Sequence, residues 1–427
     1  MLPSNLRLLT WIWIHRMPNK IITLWQVRQL RKLLRYTYTN VPVYKKLWHK
    51  KNITKLAFRE ISDLSKLPII DKKKFRNIQF EEYVSPTLHS QWIHWGKTSG
   101  TSGEPFSFLK PNLFDLEKIV FLRFKFLYWL GHSPRKVSTE MIFFWFPADP
   151  KLALESTETD MGIPVEEVLA NSNHVLELIE EKQPDVIQGF PSILLELARK
   201  KNSSEKYANI HVDYIVSYGE ILTEDTREFL RKSFNCEVYS RYGLEEFSVV
   251  GTECKYHSGF HINVENFIVE IVDTDGKPVP LGKEGRVIIT DLSNYVMPFI
   301  RYDTGDMGHF VPETCPCGLQ DYKLKIQGRV SAFISILGTT IHHLQISIIM
   351  ENFASSILQY QVEKTDTSTL LLRIIPNIGY TPASEEMIVA ALRKVLPQGV
   401  VLEVHLVTSL KRERSGKCKT LLDSTGN

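Results

Sequence analysis

Residues 98–105 read TSGTSGEP, and this segment constrains the chain more than any other of its length. Gly100 and Gly103 permit backbone angles that other residues rarely adopt, so successive amide groups can point at one anion. Hydroxyl groups add hydrogen-bond donors, and they come from Thr98, Ser99, Thr101 and Ser102. We therefore predict a phosphate-binding loop, with a plain polar surface loop as the alternative. It is not the P-loop of common NTPases, because Gln91 stands where that motif requires glycine.

The length and composition of the chain predict a soluble globular protein of two domains. Its 427 residues exceed what one ordinary hydrophobic core serves, and 43% hydrophobic with 23% charged residues is typical of globular proteins. The net charge of +4 is nearly neutral for this length, and the sequence contains no RNA-binding motif. We therefore expect no nucleic-acid partner.

The N-terminal residues 6–17 read LRLLTWIWIHRM and are rich in apolar side chains. The run is interrupted too soon to span a membrane, and no small-residue cleavage site follows it. We predict an amphipathic helix packed on the main body of the protein, with a membrane-surface anchor as the alternative. Because nothing else indicates export, the expected location is the cytoplasm, where the five scattered cysteines would not form disulfides.

Alternating helix and strand patterns predict an α/β fold, with βα units around a largely parallel sheet. Helices are predicted over residues 25–35, 114–130, 174–180 and 192–200, and short strands over residues 186–187 and 214–216. From residue 267 the pattern becomes paired strands, 267–272 and 285–290, around a turn at residues 273–276. An α+β pattern follows Gly328, over residues 346–353, 370–375, 385–396 and 400–407. We place the domain boundary there, between a large domain of residues 1–328 and a small domain of residues 329–427.

Six short motifs occur in one order, and the set is far more specific than any single member. They are residues 98–105 (TSGTSGEP), 217–220 (SYGE), 239–246 (YSRYGLEE), 301–306 (RYDTGD), 328–329 (GR) and 412–417 (RERSGK). This order resembles that of the adenylate-forming superfamily, which contains acyl-CoA synthetases, adenylation domains of peptide synthetases and luciferases. The resemblance implies a large N-terminal adenylate-forming domain and a small, mobile α+β C-terminal domain that carries a catalytic lysine.

Four further segments are similar to landmarks of one branch of that superfamily, the phenylacetate–CoA ligase-like branch. They are residues 29–36 (QLRKLLRY), 40–44 (NVPVY), 67–71 (LPIID) and 297–302 (MPFIRY). The branch includes adenylating proteins of capsular polysaccharide biosynthesis, and the similarity extends over essentially the whole chain. It implies an enzyme that joins a carboxylic acid to ATP, which gives an acyl-adenylate and pyrophosphate. The acyl group would then pass to CoA, a carrier-protein thiol, an amine or a hydroxyl.

Attack on the α-phosphate brings two anions together, so the site needs fixed positive charge and N–H donors. By resemblance, Lys417 bridges the acid's carboxylate and the α-phosphate, and residues 98–103 hold the outgoing pyrophosphate. Taken alone, Lys417 is better read as a solvated charge in a basic tail, and the upstream motifs reverse that preference. The resemblance also implies Mg²⁺ at Glu246, with Glu245 as a surface residue or an alternative ligand.

Other residues are implied as nucleotide contacts by the same resemblance. The adenine pocket would comprise Gly219, Glu220, Tyr242 and Gly243. The alternative for Tyr242 is an ordinary aromatic residue at the end of a strand. Asp306 would accept both ribose hydroxyls, a bidentate role that suits a charged acceptor, and its alternative is a turn residue after Gly305. Arg329 would approach the ribose or a phosphate from the domain junction.

Cys254, His261, Cys315 and Cys317 are the residue types of a structural zinc site with three cysteines and one histidine. Their spacing alone does not decide for zinc, because the cysteines are far apart in the sequence. Some members of the resembling branch share this pattern, and the resemblance therefore implies Zn²⁺. His257 is the rival nitrogen ligand, and the alternative is a group of buried thiols.

Two departures from the family pattern leave the second half-reaction open. Ser331 and Ala332 stand where an acidic hinge residue commonly follows the Gly-Arg motif, and Asp303 stands where many superfamily members have Arg or Lys. The competing hypothesis is a nucleotide-binding or scaffolding protein that has lost turnover.

The substrate acid and the oligomeric state are not readable from the sequence. Aromatic residues at 143–146 suit an aryl acid, but ordinary core packing explains the same cluster equally well. An acid of a polysaccharide pathway is equally compatible with the resemblance. A homodimer is a candidate state.

Overall fold

A computed structural model describes fourteen stretches of the chain. They are residues 13–53, 58–86, 93–97, 106–111, 125–126, 141–145, 160–320, 322–329, 333–342, 345–346, 349–350, 352–353, 355–412 and 418–425. The predicted helix over residues 114–130 lies outside them except for residues 125–126. The prediction for residues 346–353 falls only partly within them. Among the described residues, no helix is both long enough and apolar enough to cross a membrane.

Helices and strands alternate through much of the chain. The α-helices are α1 (Asn19–Asn40), α2 (Pro42–Lys50), α3 (Lys72–Arg76), α4 (Phe80–Tyr83), α5 (Val165–Ala170), α6 (Ser172–Lys182), α7 (Pro191–Asn202), α8 (Glu224–Phe234) and α9 (Pro382–Arg393). The first strands are β1 (Ile93–Lys97), β2 (Ser107–Pro111), β3 (Met141–Trp145), β4 (Asp160–Pro164), β5 (Val186–Gly189), β6 (Tyr214–Tyr218), β7 (Glu237–Leu244), β8 (Ser248–Thr252), β9 (Phe260–Ile262) and β10 (Phe267–Val272). The remaining strands are β11 (Gly285–Asp291), β12 (Tyr302–Val311), β13 (Lys323–Arg329), β14 (Phe333–Ile336), β15 (Thr339–His342), β16 (Ile357–Lys364), β17 (Thr369–Pro376), β18 (Val401–Leu406) and β19 (Leu421–Asp423).

The chain divides into two compact units, and the first comprises Met1–Val137 and Arg241–Ile326. Its strands lie in the order β10-β11-β12-β13-β9-β8-β7, and β1 pairs separately with β2. The pairs β10–β11, β11–β12, β9–β13, β8–β9 and β7–β8 are all antiparallel. The predicted strands at residues 267–272 and 285–290 are confirmed as β10 and β11. The turn between them closes at Gly276, whose φ of +80° is readily available to glycine.

Helix α1 confirms the helix predicted over residues 25–35 and shows why the sequence forms it. Ile22, Leu30 and Leu33 recur at helical spacing and are buried in the core of the first unit. The side-chain amide of the buried Gln26 donates to the carbonyl oxygens of Val264 and Phe267, at 3.0 and 2.9 Å. The helix ends before Pro42, because a residue that precedes proline is restricted to extended angles.

The second unit comprises Ser138–Ser240 and Gln327–Asn427, and its first part is the predicted set of βα units. Strands β6, β5, β3 and β4 are neighbours in that order and pair in parallel. Helices α5 to α8 alternate with them, so the helices predicted over 174–180 and 192–200 and the strands at 186–187 and 214–216 are confirmed. Helix α6 ends where Gln183 adopts a left-handed conformation, and α8 ends in the same way at Asn235.

The C-terminal part of the second unit has a sheet and a hydrophobic core of its own. The order of its strands is β18-β17-β16-β19, and β14 and β15 form an antiparallel pair. Its core contains residues between Ile334 and Leu421, among them Leu372 and Ile388. The α/β fold with a separate C-terminal sheet domain is therefore confirmed. Residues 327–427 group with residues 138–240, so the boundary at Gly328 and Arg329, both in β13, stays a prediction.

Candidate active site

Glu246 is the centre of a buried polar group in the first unit. Its carboxylate oxygen Oε1 lies 3.1 Å from the Lys72 ammonium nitrogen and accepts a 2.7 Å hydrogen bond from the Tyr302 hydroxyl. Burial raises the pKa of Glu246, but the Lys72 charge and the Tyr302 hydroxyl outweigh it and hold the pKa below its ordinary value. The neighbouring Glu245 is exposed. The structure therefore presents Glu246 as an ionised, oriented carboxylate and Glu245 as a surface residue.

A tight turn between β7 and β8 places Glu246. A Cβ atom at Gly243 would lie 2.2 Å from the carbonyl oxygen of Ser248, so only glycine lets the two strands approach this closely. The Phe247 amide donates to the Leu244 carbonyl and closes the turn. The Phe247 ring packs edge-on against Tyr302, which holds the turn beside the strand that carries Tyr302.

Lys72 reaches Glu246 because the segment before α3 is tied to the start of β12. The Ile70 amide donates to the Arg301 carbonyl at 3.0 Å, and the Asp303 amide donates to the Ile70 carbonyl at 2.8 Å. Asp71 then caps α3 by accepting a hydrogen bond from the backbone of Lys74. Lys72 is the first residue of that helix and, like Tyr302, it reaches Glu246 Oε1.

Asp306 and Tyr242 form a second hydroxyl–carboxylate pair in the first unit. The Tyr242 hydroxyl donates to Asp306 Oδ2 at 2.7 Å, and both side chains are buried. The Asp306 amide donates to the Thr304 hydroxyl. Asp306 lies within β12, so it is not a simple turn residue after Gly305. Tyr302, Thr304 and Asp306 alternate along β12 as buried residues, which places both carboxylate pairs on one face of the strand.

Asp303, the departure from the family pattern, has a structural partner. Its Oδ2 lies 2.6 Å from Arg286 Nη1, and its Oδ1 accepts a hydrogen bond from the Gly305 amide. The Arg286 guanidinium also donates to the carbonyl of Asp273 in the β10–β11 turn. The acidic residue at position 303 therefore joins β11, β12 and the adjacent turn.

In the second unit, Glu220 lies after β6 and caps helix α7. Its carboxylate accepts hydrogen bonds from the Ser192 amide at 3.0 Å, the Ser192 hydroxyl at 2.9 Å and the Cys418 amide at 2.8 Å. Arg412 Nη1 donates to the same Ser192 hydroxyl at 2.5 Å. The preceding Gly219 has a φ of +78°, which glycine adopts without strain. Glu220 thus contacts the residue that follows Lys417 in the sequence.

Gln361 on β16 joins both sides of the stretch that contains Lys417. Its side-chain nitrogen donates to the carbonyl oxygens of Lys411 and Lys419, each at 2.8 Å, and its side-chain oxygen accepts from the Lys411 amide at 3.1 Å. Gln361 is completely buried. Nearby, Glu363 accepts two hydrogen bonds from the Lys411 ammonium. These contacts fix the backbone at residues 411 and 419.

Cys254, His261, Cys315 and Cys317 come together in the first unit, with their ligand atoms all within 4.8 Å of one another. The Sγ atoms of Cys254 and Cys315 are 3.5 Å apart, and Cys317 Sγ is 3.4 Å from His261 Nε2. Tetrahedral zinc with ordinary bond lengths separates such atoms by roughly 3.6–3.8 Å. The donor types and their spacing both fit Zn²⁺.

His257, the rival nitrogen ligand, faces a carboxylate instead. Its Nδ1 lies 3.3 Å from Glu253 Oε2, whereas His261 on β9 is fully buried beside Cys317. The Ser258 hydroxyl is 3.8 Å from Cys315 Sγ and accepts a hydrogen bond from the Lys323 ammonium. A cation held beside a group of thiolates would lower the cost of burying their negative charge.

Several predicted residues lie outside the described stretches. They are Thr98, Ser99, Gly100, Thr101, Ser102 and Gly103, together with Ser331, Ala332 and Lys417. Arg329 is the last residue of β13, and the structure describes its backbone but not its side chain. In turn, the sequence analysis missed Lys72 and Gln361 as partners of functional segments. Lys72 is one of three consecutive lysines, and no pattern distinguishes it from the others.

Several known proteins are similar to this chain. A family model described as AMP-binding enzyme matches residues 159–298. The phenylacetate–coenzyme A ligase of Thermus thermophilus is 27% identical, and the alignment covers 96% of this chain and 98% of that enzyme. Protein CapK of Staphylococcus aureus is 21% identical, over 82% of this chain and 77% of its own length.

A solved structure supports the same fold. The crystal structure of 2-hydroxyisobutyryl-CoA ligase in its postadenylation state matches with a TM-score of 0.75 and 18% identity, covering 96% of this chain and 91% of that one. Three observations are compatible with an adenylate-forming enzyme: the order of the motifs, the buried carboxylates at Glu246 and Asp306, and relatives that align over most of the chain. These similarities agree with the resemblance of the motifs to the phenylacetate–CoA ligase-like branch of the adenylate-forming superfamily.

Proposed function

We propose that this protein activates an aryl carboxylic acid with ATP and transfers the acyl group to CoA. In the first step a carboxylate oxygen attacks the α-phosphorus of ATP, and the bond to pyrophosphate breaks. In the second step the CoA thiol attacks the acyl carbon, loses its proton, and AMP leaves. The observation that carries the proposal is a pair of buried carboxylates, Glu246 and Asp306, each of which accepts a hydrogen bond from a tyrosine hydroxyl. The similarity to a CoA ligase over 96% of this chain supports it.

Glu246 is the residue that we propose for Mg²⁺. That ion takes hard oxygen ligands, keeps several waters and needs few protein carboxylates, so one ionised glutamate suits it. Bound there, Mg²⁺ would neutralise charge on the phosphate oxygens of ATP. Tyr302 and Lys72 both contact Oε1 and thereby hold the carboxylate in one orientation.

Asp306 is proposed to accept the ribose hydroxyls, and Tyr242 to lie beside adenine. The hydrogen bond between their side chains fixes the carboxylate that would receive the two hydroxyls. The pyrophosphate contact of residues 98–103, the bridging role of Lys417 and the approach of Arg329 are proposals that rest on the resemblance. Gly219, Glu220 and Gly243 keep their proposed place near adenine, with Glu220 also capping α7.

Two observations support an aryl acid. Four relatives are named phenylacetate–coenzyme A ligases. In the second unit, aromatic residues lie at the carboxyl ends of parallel strands, where α/β folds commonly bind ligands. There the Tyr218 hydroxyl donates to the Phe144 carbonyl, and its ring centroid is 5.1 Å from that of Phe190.

We also propose that Cys254, His261, Cys315 and Cys317 hold a structural Zn²⁺. Four protein ligands close the coordination shell, which is typical of structural rather than catalytic zinc. The ion would connect the segment after β8, strand β9 and the segment before β13. No step of the proposed reaction needs it.

Carboxylate-dependent exchange of pyrophosphate into ATP tests the proposed function. The panel comprises phenylacetate, benzoate, 2-aminobenzoate, 2-hydroxyisobutyrate and an amino acid, each with and without CoA. We expect exchange with an aryl acid, and a CoA thioester in the presence of CoA. ATP binding without exchange for any acid would instead support the scaffolding hypothesis. Exchange without a thioester would move the acceptor to a carrier protein, an amine or a hydroxyl.

Replacing Gln361 with leucine is expected to slow adenylation by about 10- to 100-fold, because small displacements of a catalytic group have effects of this size. The dissociation constant of ATP should change little, since Gln361 fixes backbone near Lys417 and not the nucleotide. Gln359→Leu, at a half-buried position on the same strand, is the matched control. Equal rates for the two variants in the exchange assay would show that Gln361 does not position the lysine.

A further inference from the structure

The positive charge of this chain is concentrated at its N-terminus. Residues 1–59 contain thirteen Lys and Arg residues, whereas the first acidic residue is Glu60. Because the whole chain carries only +4, the remaining residues carry a net charge of −9. The near-neutral total, from which no nucleic-acid partner was expected, therefore conceals a strongly basic segment.

Helix α1 exposes much of this charge on one face. Lys20, Arg28, Arg31 and Arg35 are exposed and follow one another at spacings of eight, three and four residues, which lie on one side of a helix. The opposite side is buried in the core of the first unit. The described residues that follow α1 add the exposed side chains of Lys45, Lys46, Lys50, Lys51 and Arg59.

Large apolar side chains interrupt this basic surface. Trp13, Met17, Ile21 and Leu24 are spaced by four, four and three residues, and Leu24 is 62% exposed. Globular proteins usually leave such side chains exposed singly, so four in succession indicate an interaction site. Apolar and basic side chains together, with tryptophan among them, are typical of segments that lie at a membrane–water interface.

A buried ionic group fixes the position of this segment. His15 Nε2 lies 2.8 Å from Glu265 Oε2, and the Lys125 ammonium lies 2.5 Å from the other oxygen of that carboxylate. Burial raises the pKa of Glu265, but Lys125 and His15 outweigh it and lower the pKa to about 2. The Gln320 amide also donates to the His15 carbonyl. These contacts fix the segment immediately before α1, which carries the exposed Trp13 and Met17.

We propose that the exposed face of α1, defined by Lys20, Ile21, Leu24, Arg28, Arg31 and Arg35, docks on an anionic phospholipid bilayer together with the exposed Trp13 and Met17 just before the helix. The apolar side chains enter the boundary between headgroups and acyl chains, while the basic side chains near the surface are attracted to the anionic headgroups. Nucleic acid would also attract the charge, but it offers no apolar phase for Leu24 and Ile21. The inference is independent of the proposed catalytic activity.

Cosedimentation of the full chain with lipid vesicles tests the proposal. We expect binding to vesicles with about 30% phosphatidylserine and little binding to pure phosphatidylcholine. Raising NaCl from about 0.05 M to about 0.5 M should weaken binding, because it shortens the screening length. Equal binding to both vesicle types, or no binding to either, would overturn the proposal.

Two double variants separate the contributions of charge and apolar contact. The double variant Arg28→Glu with Arg35→Glu should lower the partition coefficient for anionic vesicles by about 10- to 100-fold. Ile21→Ser with Leu24→Ser should lower it about 10-fold at low salt, through lost apolar burial. The matched control is Lys182→Glu with Lys232→Glu, which makes the same charge change on exposed positions of α6 and α8. All variants should keep the melting temperature of the parent within a few degrees.

Other occupants of the face give different results. Duplex DNA or RNA that binds more tightly than anionic vesicles, and is unaffected by the Ile21 and Leu24 changes, would assign the face to nucleic acid and overturn the proposal. A homodimer that light scattering shows to dissociate in the serine variant would assign it to a second copy of the chain, with the same consequence.

Discussion

Replacing Lys417 with alanine is expected to lower the rate of pyrophosphate exchange by about 10²- to 10³-fold, the loss typical of removing one group that stabilises charge in a transition state. The proposed step joins two anions, so a fixed ammonium contributes most where the carboxylate approaches the α-phosphate. ATP binding should change little, because other residues are proposed to hold the ribose and the base. Exchange kinetics together with calorimetric titration of ATP measure the two effects separately.

Lys419→Ala is the control for this experiment. Lys419 belongs to the same basic tail, and its carbonyl, not its ammonium, is the atom that Gln361 contacts. The proposal therefore expects near-normal exchange for that variant. If the two alanine variants lose activity equally, the tail contributes general positive charge, and the reading of Lys417 as a solvated residue would be correct. If the wild-type protein binds ATP without exchange, the scaffolding hypothesis gains support instead.

Local patterns predicted several of the described helices and strands, because their spacing is a property of consecutive residues. Helix α1 is an example, since its buried side chains recur at the helical period, and strands β10 and β11 were predicted as apolar runs on both sides of a turn. The partners of Glu246 are different. Lys72 is brought to it by backbone pairing between Ile70 and β12, more than 200 residues away, and no local pattern records that pairing.

The four proposed zinc ligands show where sequence reasoning depends on the tertiary structure. Cys254 and Cys315 were candidates by residue type, but their sequence separation gave no evidence that they meet. Two histidines near Cys254 were rivals, and strand β9 decides between them because it buries His261 beside Cys317. His257 instead lies in a turn with a left-handed backbone and faces Glu253.

Cys254→Ser is expected to remove bound zinc and to lower the melting temperature by about 10 °C, which corresponds to several kcal/mol for a unit of this size. The reason is the loss of a closed coordination shell that joins three separate segments of the first unit. Metal analysis should find about one zinc ion per wild-type chain and little in the variant. A strong chelator should lower the melting temperature of the wild-type protein and leave that of the variant unchanged.

Cys236→Ser provides the matched control, because Cys236 is half-buried and is not among the four clustered residues. Burial raises the pKa of its thiol to about 12, so it stays protonated and is a poor metal ligand. Its substitution should leave the zinc content and the chelator response unchanged. A wild-type chain that carries almost no zinc, or a chelator response that persists in Cys254→Ser, would contradict the zinc proposal. In that case the four residues would be a buried thiol cluster, and their packing alone would account for any loss of stability.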